Sequence, residues 1–287
     1  MNHAHNKTAA AFAFLLLASL ALVNVAVADD SLEVVLDAQD EDVQARYVYR
    51  HPQETLEFFG VEPGMVVVEG FPGGGWYSKI LIQYLGEDGQ LIGANYDYEM
   101  FPLFGFFSPE QLDKWKTWEN DWPQEAQTWG GEDGAAVAAF SLGSMPNALG
   151  GTADVVLMVR AFHNLARFED QGGYLTDALE DIYNVLKPGG ILGVVQHEAP
   201  ADSPDDWADG NAGYLKKAWL IARIEDAGFE FVGESDVNEN PADQPTTEEI
   251  VWRLPPNYAT SRNNPELKAE MDAIGESNRM TLKFRKP

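Results

Sequence analysis

The sequence predicts an α/β protein in which helices cover both faces of one mainly parallel β-sheet. Short apolar runs, typical of buried strands, alternate with segments of helical apolar spacing as far as residue 234. A glycine-rich turn at residues 70–75 joins the first apolar run to a helical segment. An alternating apolar run at residues 278–285 closes the pattern with a strand. Together these observations indicate a three-layer sandwich.

The predicted elements follow each other in order along the chain. Strands are predicted at residues 65–69, 90–94, 134–142, 153–159, 191–195, 229–232 and 278–285. Helices are predicted at residues 40–60, 76–85, 174–186 and 215–227. Lys187-Pro188-Gly189-Gly190 ends the third of these helices, because proline cannot continue a helix and glycine accepts a reversed backbone. A polar insertion at residues 236–276 precedes the last strand, and we expect a single domain over residues 29–287.

The composition restricts the chemistry and the partners. The chain has 287 residues, of which 45% are hydrophobic, and this is enough for one well-filled α/β domain. Its 46 acidic and 19 basic residues give a formal net charge of −27. Because a field of this sign repels phosphate groups and anionic lipid, we expect no nucleic-acid partner. The absence of cysteine from the sequence excludes disulfides, thiolate metal ligands and cysteine nucleophiles.

The N-terminal residues have the pattern of a secretory signal peptide. Lys7 is the only formally charged side chain among residues 1–28, and the apolar run Ala9–Val23 follows it. Ala26-Val27-Ala28 then supplies small residues at the two positions that a signal peptidase recognises. We therefore expect cleavage after Ala28, an exported protein that is periplasmic or secreted, and no stable membrane insertion of the mature chain.

Eight phenylalanine and tryptophan side chains fall within residues 101–129. Such a density of rings indicates either a lid that covers the core or a surface on which a flat ligand stacks. We expect this aromatic segment and the insertion at residues 236–276 to form the walls of the binding pocket.

Three segments carry a family pattern. Glu69–Tyr77 contains the glycine turn, Asp154–Leu157 lies in the fourth strand, and Leu186–Gly190 precedes the fifth. With this order and spacing, the chain resembles the class I S-adenosylmethionine-dependent methyltransferases, and more narrowly an exported bacterial group of predicted methyltransferases. The resemblance implies a Rossmann-like, seven-stranded sheet, mainly parallel with an antiparallel last strand. It also implies that S-adenosylmethionine lies across the carboxyl edge of the first strands.

The resemblance further implies which residues hold this cofactor. Its methionyl part would be lined by Glu69, Gly73, Gly74 and Gly75. Asn95 stands where the family has an acidic residue that binds the ribose hydroxyls, and Asp97 takes this role if the second strand ends later. Phe71 occupies the position of the first glycine of the family's turn.

Three candidate catalytic residues follow neighbouring strands of the predicted sheet. Arg160 and His163 come after the fourth strand, and His197 follows the fifth. Because the carboxyl ends of parallel strands meet at one edge, we expect both histidines at the ligand-binding edge. Three roles stay open for them: a general base, a ligand of zinc or a similar ion, or a structural residue. The partner of Arg160 is the cofactor's carboxylate, an acidic substrate, Glu69, or another internal carboxylate.

These observations predict a methyltransferase that uses S-adenosylmethionine and acts on an unknown small molecule. Methyl transfer asks mainly for alignment of the reacting atoms, since the sulfonium already activates the methyl group. The alternative is a non-catalytic exported protein that binds a small molecule or metal on the same fold. This alternative arises because an exported unfolded chain cannot carry with it a cofactor that is made in the cytoplasm.

Overall fold

The computed structural model describes residue 1 and residues 31–287. Nearly all of the predicted signal peptide lies outside the described residues, so its cleavage and the export of the chain stay predictions. Within the described part of the chain, no helix combines the length and the apolar character that a membrane span requires.

The described residues form seven strands and twelve α-helices. The strands are β1 (Val66–Gly70), β2 (Gln90–Asn95), β3 (Ala136–Ser141), β4 (Ala153–Val159), β5 (Leu186–His197), β6 (Glu230–Ser235) and β7 (Arg279–Arg285). The α-helices are α1 (Leu32–Asp37), α2 (Glu41–Gln44), α3 (Tyr47–Arg50), α4 (Pro52–Phe59), α5 (Trp76–Leu85), α6 (Pro109–Trp115), α7 (Trp118–Gln127), α8 (Phe162–Arg167), α9 (Glu169–Gly172), α10 (Tyr174–Val185), α11 (Lys217–Asp226) and α12 (Pro265–Ile274). Short 3₁₀ helices lie at Tyr98–Phe104, Asn147–Leu149 and Val251–Arg253.

All seven strands join one sheet in the order β3-β2-β1-β4-β5-β7-β6. Strands β1 to β5 pair in parallel. Strand β7 runs antiparallel between β5 and β6. This arrangement confirms the predicted α/β sandwich, including its antiparallel last strand. The strand order reverses between β1 and β4, which is where a doubly wound sheet opens a crevice for ligands.

The central strands are continuously apolar because helices cover both faces of the sheet. Successive residues of a strand point to opposite faces. Accordingly, Val68 and Val156 belong to one apolar layer, whereas Val67 and Leu157 belong to the other. All four side chains are almost fully buried. Their burial fixes the register that carries the ends of β1 and β4 to the same edge.

The predicted and observed bounds of the elements differ most at two places. The fifth strand starts at Leu186 rather than at residue 191, directly after α10 ends. Its first residues are held there by Asp154, whose carboxylate pairs with Lys187 at 2.5 Å and accepts a hydrogen bond from the Val66 N–H at 2.9 Å. The second difference concerns residues 40–60, which form three short helices instead of one or two.

The insertion at residues 236–276 is folded against the carboxyl edge of the sheet. A buried ion pair joins Asp243 to Arg253 at 2.7 Å, and the Tyr214 hydroxyl lies 3.0 Å from the Asp243 carboxylate. These polar contacts connect the insertion to the loop that follows β5. The insertion ends immediately before β7, whose first residue, Arg279, pairs with His197 at the end of β5.

The aromatic segment at residues 101–129 packs on the core. The Phe101 ring stacks on Trp115 with centroids 4.4 Å apart, and the Phe104 ring meets Phe168 edge-on at 5.0 Å. These contacts agree with a segment that covers the core.

Candidate functional site

A cavity of about 510 Å³ opens at the carboxyl edge of the sheet, where β1 and β4 diverge. It is bounded by the glycine turn, the ends of β4 and β5, the start of α8, Arg46 and Arg50, and the insertion between residues 251 and 257. The insertion therefore forms a wall, as predicted. No described residue of the segment 101–129 lines this cavity, so that half of the wall prediction is wrong.

The glycine turn holds a backbone path that most side chains would prevent. Gly73 has φ +56° and Gly75 has φ +75°, values that glycine adopts without strain. A side chain at Gly75 would also collide with the Trp129 ring, since a Cβ there would lie 2.4 Å from ring atoms. Gly73 and Gly74 face the cavity, whereas Gly75 supports the turn from behind. The turn thus leaves backbone without side chains facing the cavity next to the N-terminus of α5.

Glu69 is the last residue but one of β1 and does not line the cavity. Its side chain is only 4% exposed, and one carboxylate oxygen accepts a hydrogen bond from the Ser78 hydroxyl at 2.5 Å. Burial raises the pKa of Glu69 to about 7, although the Ser78 hydrogen bond opposes this change. Its predicted role in holding the cofactor would require this carboxylate to turn away from Ser78.

We expect the variant Glu69→Gln to be more stable than the native chain at pH 8 by about 3 kcal/mol, and to show no such gain near pH 4.5. The folded-state pKa is raised, so the favourable contribution of neutral Glu69 is present below its unfolded pKa and is lost as the pH rises towards 7. Urea unfolding at the two pH values measures the difference. Glu54→Gln, at an exposed position, is the control; an equal gain in the control would contradict the assignment.

The two residues predicted to bind ribose do not line the cavity. The Asn95 side-chain oxygen accepts a hydrogen bond from the Tyr96 N–H at 2.9 Å, and the side chain is buried. Asp97 caps the following 3₁₀ helix by accepting from the Glu99 N–H at 2.7 Å. Strand β2 ends at Asn95, so Asp97 lies beyond the strand.

The space between the ends of β1 and β2 is filled by two aromatic rings. Phe71 stacks on Tyr96 with centroids 4.4 Å apart. The Tyr96 hydroxyl donates to the Ala161 carbonyl and accepts from the Asn164 amide, which fixes the ring. Phe71 adopts φ +51°, a left-handed conformation that is uncommon for a bulky residue. Gly73 and Gly74 therefore present open backbone to the cavity, while the Phe71 and Tyr96 rings fill the space beside the end of β2.

The two histidines meet at the carboxyl edge, as their positions after β4 and β5 predict. Their ring centroids are 5.5 Å apart, and both side chains are buried where they line the cavity. The His197 Nδ1 lies 2.5 Å from the Ser277 hydroxyl. Burial lowers the pKa of His163 to about 4, and burial together with repulsion from His163 lowers the pKa of His197 well below its usual range. Both imidazoles are therefore neutral at pH 7.

The geometry gives no support to the metal-ligand alternative for these histidines. Among residues 31–287, no three histidine, aspartate or glutamate side chains are grouped so that they could hold an ion. Glu198, next to His197 in sequence, is directed to Lys217 at 3.5 Å instead. His51 lies outside the cavity, at the junction of α3 and α4.

A cluster of four arginines surrounds one carboxylate beside the histidines. Glu276 accepts hydrogen bonds from Arg46, Arg50 and Arg279, and its side chain is 3% exposed. Burial alone would raise the pKa of Glu276, but the positive charges of these residues and of Arg160 outweigh it and lower the pKa to about 2. Glu276 stays ionised throughout the physiological range.

Sequence reasoning missed Glu276, although a signal for it was present. An antiparallel last strand beside the fifth must begin at the carboxyl edge. The residues directly before it therefore approach the same edge as His197. A carboxylate in that position was therefore a candidate for the site. It was not recognised because the polar insertion around it contains several other carboxylates.

Arg160 follows β4 directly and lines the cavity together with the glycine turn and His163. Its backbone has φ +56°, and its N–H donates to the Val195 carbonyl at 2.6 Å. The guanidinium Nε is buried without a hydrogen-bond partner among the described residues. The predicted pairing with Glu69 is absent from this structure, because Glu69 is bonded to Ser78.

No protein-family model matches the chain, and no curated protein matches its sequence. Solved structures do share its fold. A SAM-dependent methyltransferase from Aquifex aeolicus matches with a TM-score of 0.51 and 15% identity, over 90% of this chain and 99% of the other. The [4+2]-cyclase SpnF matches with a TM-score of 0.50 and 18% identity, over 84% and 81% of the two chains. Geranyl diphosphate methyltransferase in complex with SAM matches with a TM-score of 0.50 and 14% identity, over 89% and 95%.

These similarities establish the fold of the class I S-adenosylmethionine-dependent methyltransferases for this chain. The narrower resemblance to an exported bacterial group stays a prediction. The roles of the site residues also stay predictions, because a shared fold does not transfer the roles of individual side chains.

Proposed function

We propose that this protein is an S-adenosylmethionine-dependent methyltransferase that acts on a small molecule. The observation that carries the proposal is the convergence of the open glycine turn, Arg160 and two neutral imidazoles on one cavity of about 510 Å³. This volume lies within the range of small-molecule sites. The cavity also occupies the edge of the sheet where ligands of this fold class bind.

In such a site, different residues of the chain would bind the cofactor and interact with the methyl acceptor. Gly73 and Gly74 offer backbone to the methionyl end of the cofactor, which supplies a methyl group activated by its sulfonium. His163 and His197 are neutral at pH 7, so an unprotonated ring nitrogen can accept a hydrogen bond from an O–H or N–H of the acceptor, although burial lowers their pKa values and makes each a weak base. The Trp252 ring, from the insertion, meets the His163 ring edge-on with centroids 5.7 Å apart.

One observation favours a second candidate, a binding protein on the same fold. Phe71 and Tyr96 stack on each other beside Asn95, where the family resemblance would put the ribose of the cofactor. The [4+2]-cyclase SpnF has the same fold, so this fold is not restricted to methyltransferases. In this candidate the cavity holds another small molecule.

Calorimetric titration of the purified protein with S-adenosylmethionine and S-adenosylhomocysteine tests the first candidate. We expect saturable binding of both at up to about 1 mM, which corresponds to roughly −4 kcal/mol. Gly74→Val should abolish it without loss of stability, because Gly74 has an ordinary φ and open space at its Cβ position.

The matched control for this titration is Gly233→Val. Gly233 also has open space at its Cβ position, but it lies on β6, outside the cavity. This variant should bind as the native chain does. If neither nucleoside bound to the native chain or to a Phe71→Gly variant, the proposed methyltransferase function would be contradicted. The second candidate, a binding protein on the same fold, would then remain.

A further inference from the structure

Among the described residues that line the cavity, arginines outnumber carboxylates. Arg46, Arg50 and Arg160 line it, against one carboxylate from Glu276. Arg279 lies directly behind that carboxylate. The excess is notable because the chain as a whole has a formal net charge of −27.

The oxygens of Glu276 are already engaged. Oε1 accepts from Arg46 and from the Arg50 Nε at 3.0 Å, and Oε2 accepts from Arg279 at 3.0 Å. Arg50 uses only its Nε in this contact. Its two terminal nitrogens have no hydrogen bond to any described residue, although the side chain is only 6% exposed and its guanidinium stacks over Trp76 at 4.5 Å.

The guanidinium of Arg160 has fewer hydrogen-bond partners than that of Arg50. It forms neither an ion pair nor a hydrogen bond with any residue that the structure describes, and its Nε is buried. Burial, followed by repulsion from Arg160, lowers the pKa of Arg50 to about 10, so Arg50 remains charged at pH 7. Arg160 has no carboxylate partner among the described residues, and burying an unpaired charge costs on the order of several kcal/mol, which an anion held between Arg160 and the terminal nitrogens of Arg50 would offset.

The remaining walls of the cavity are largely apolar. They include the side chains of Phe71, Trp76, Val159, Trp252 and Pro255. A ligand that fills the site must therefore present a charged end to the arginines and an apolar or planar body to these walls.

We infer that the cavity binds a small organic oxyanion, a carboxylate or phosphate ester on an apolar body, through Arg160 and the terminal nitrogens of Arg50. Guanidinium groups match both oxyanions in charge and in fork geometry. The suggestion that this anion is the substrate rests on the proposed methyltransferase function. The suggestion that the cavity binds the anion does not rest on it, and this binding is tested without cofactor.

The test is calorimetry of the purified protein with phenylacetate, phenyl phosphate, inorganic phosphate and the neutral analogue phenylacetamide. We expect phenylacetate or phenyl phosphate to bind at least about tenfold more tightly than phenylacetamide, since hydrogen bonds to charged groups have roughly this value. The stronger of the two identifies the oxyanion. Inorganic phosphate should bind weakly because it has no apolar body.

Arg160→Gln should weaken the binding of the preferred anion by about tenfold to a hundredfold. The melting temperature should not fall, because Arg160 supports no internal ion pair among the described residues. Arg285→Gln is the matched control, since Arg285 forms an exposed pair with Glu230 at the far end of β7. It should leave binding unchanged.

Equal affinities for phenylacetate and phenylacetamide, no binding of any anion, or full affinity in Arg160→Gln would overturn the inference. A fall in melting temperature in Arg160→Gln with unchanged affinity would assign the side chain a structural role instead. Because no cofactor is present, these outcomes are independent of the titrations with S-adenosylmethionine. Binding of an anion without binding of either nucleoside would support the proposed anion site and contradict the proposed methyltransferase function.

Discussion

Replacing Phe71 with glycine is expected to raise the affinity for S-adenosylhomocysteine by about tenfold or more, a change of at least 1.4 kcal/mol in binding free energy. The substitution removes the ring that stacks on Tyr96, at the place where the proposed function would put the ribose of the cofactor. Glycine also adopts the φ of +51° at this position without strain. Calorimetric titration of the variant and the native chain measures the difference.

Phe71→Leu is the control for this prediction. Leucine keeps an apolar side chain of similar reach at the same backbone position, so the affinity should stay within about twofold of the native value, or roughly 0.4 kcal/mol. An unchanged or weaker affinity in Phe71→Gly, with an unchanged melting temperature, would show that the ring is a wall of the nucleoside site. The stack would then be part of the binding surface.

Glu276→Gln is expected to destabilise the protein by about 3 kcal/mol or more, since removing one partner of a buried ion cluster leaves the others uncompensated. Arg46, Arg50 and Arg279 all donate to this carboxylate. Chemical denaturation at pH 7 measures the loss. The control is Glu270→Gln on the exposed face of α12, which should change stability by less than about 0.5 kcal/mol.

The same cluster predicts how stability changes in acid. The folded-state pKa of Glu276 is lowered to about 2, so its contribution is complete above the unfolded pKa of about 4.5. It is lost as the pH falls from there towards 2. The native chain should therefore lose stability over this interval faster than Glu276→Gln does. Parallel acid profiles for the two proteins would contradict the assignment.

Much of the fold was predictable because strand and helix patterns are local. The apolar run before the glycine turn, the run at residues 153–159 and the alternating last strand each fix an element from its own residues. Parallel order then brings His163 and His197 to one edge, since both follow strands that end there. Their meeting at 5.5 Å needed no knowledge of packing.

The predicted cofactor contacts depended on side-chain directions, which local patterns do not specify. Glu69 lies one residue before the end of β1, and its carboxylate turns to Ser78 on α5 because that hydroxyl is the buried partner within reach. Asn95 similarly turns its oxygen to the adjacent backbone. In both cases the choice of partner follows from which donors are close after the helices pack.

The sequence by itself determined the sheet, the glycine turn and the edge at which a ligand binds, because hydrophobic periodicity and turn chemistry act over a few residues. Only the tertiary structure decided what occupies that edge. Arg50 and Glu276 are 226 positions apart in the chain and meet only after the insertion folds back. Phe71 closes on Tyr96 because two separate strand ends come together. The charge of the cavity and the shape of its walls therefore follow from how distant segments pack together.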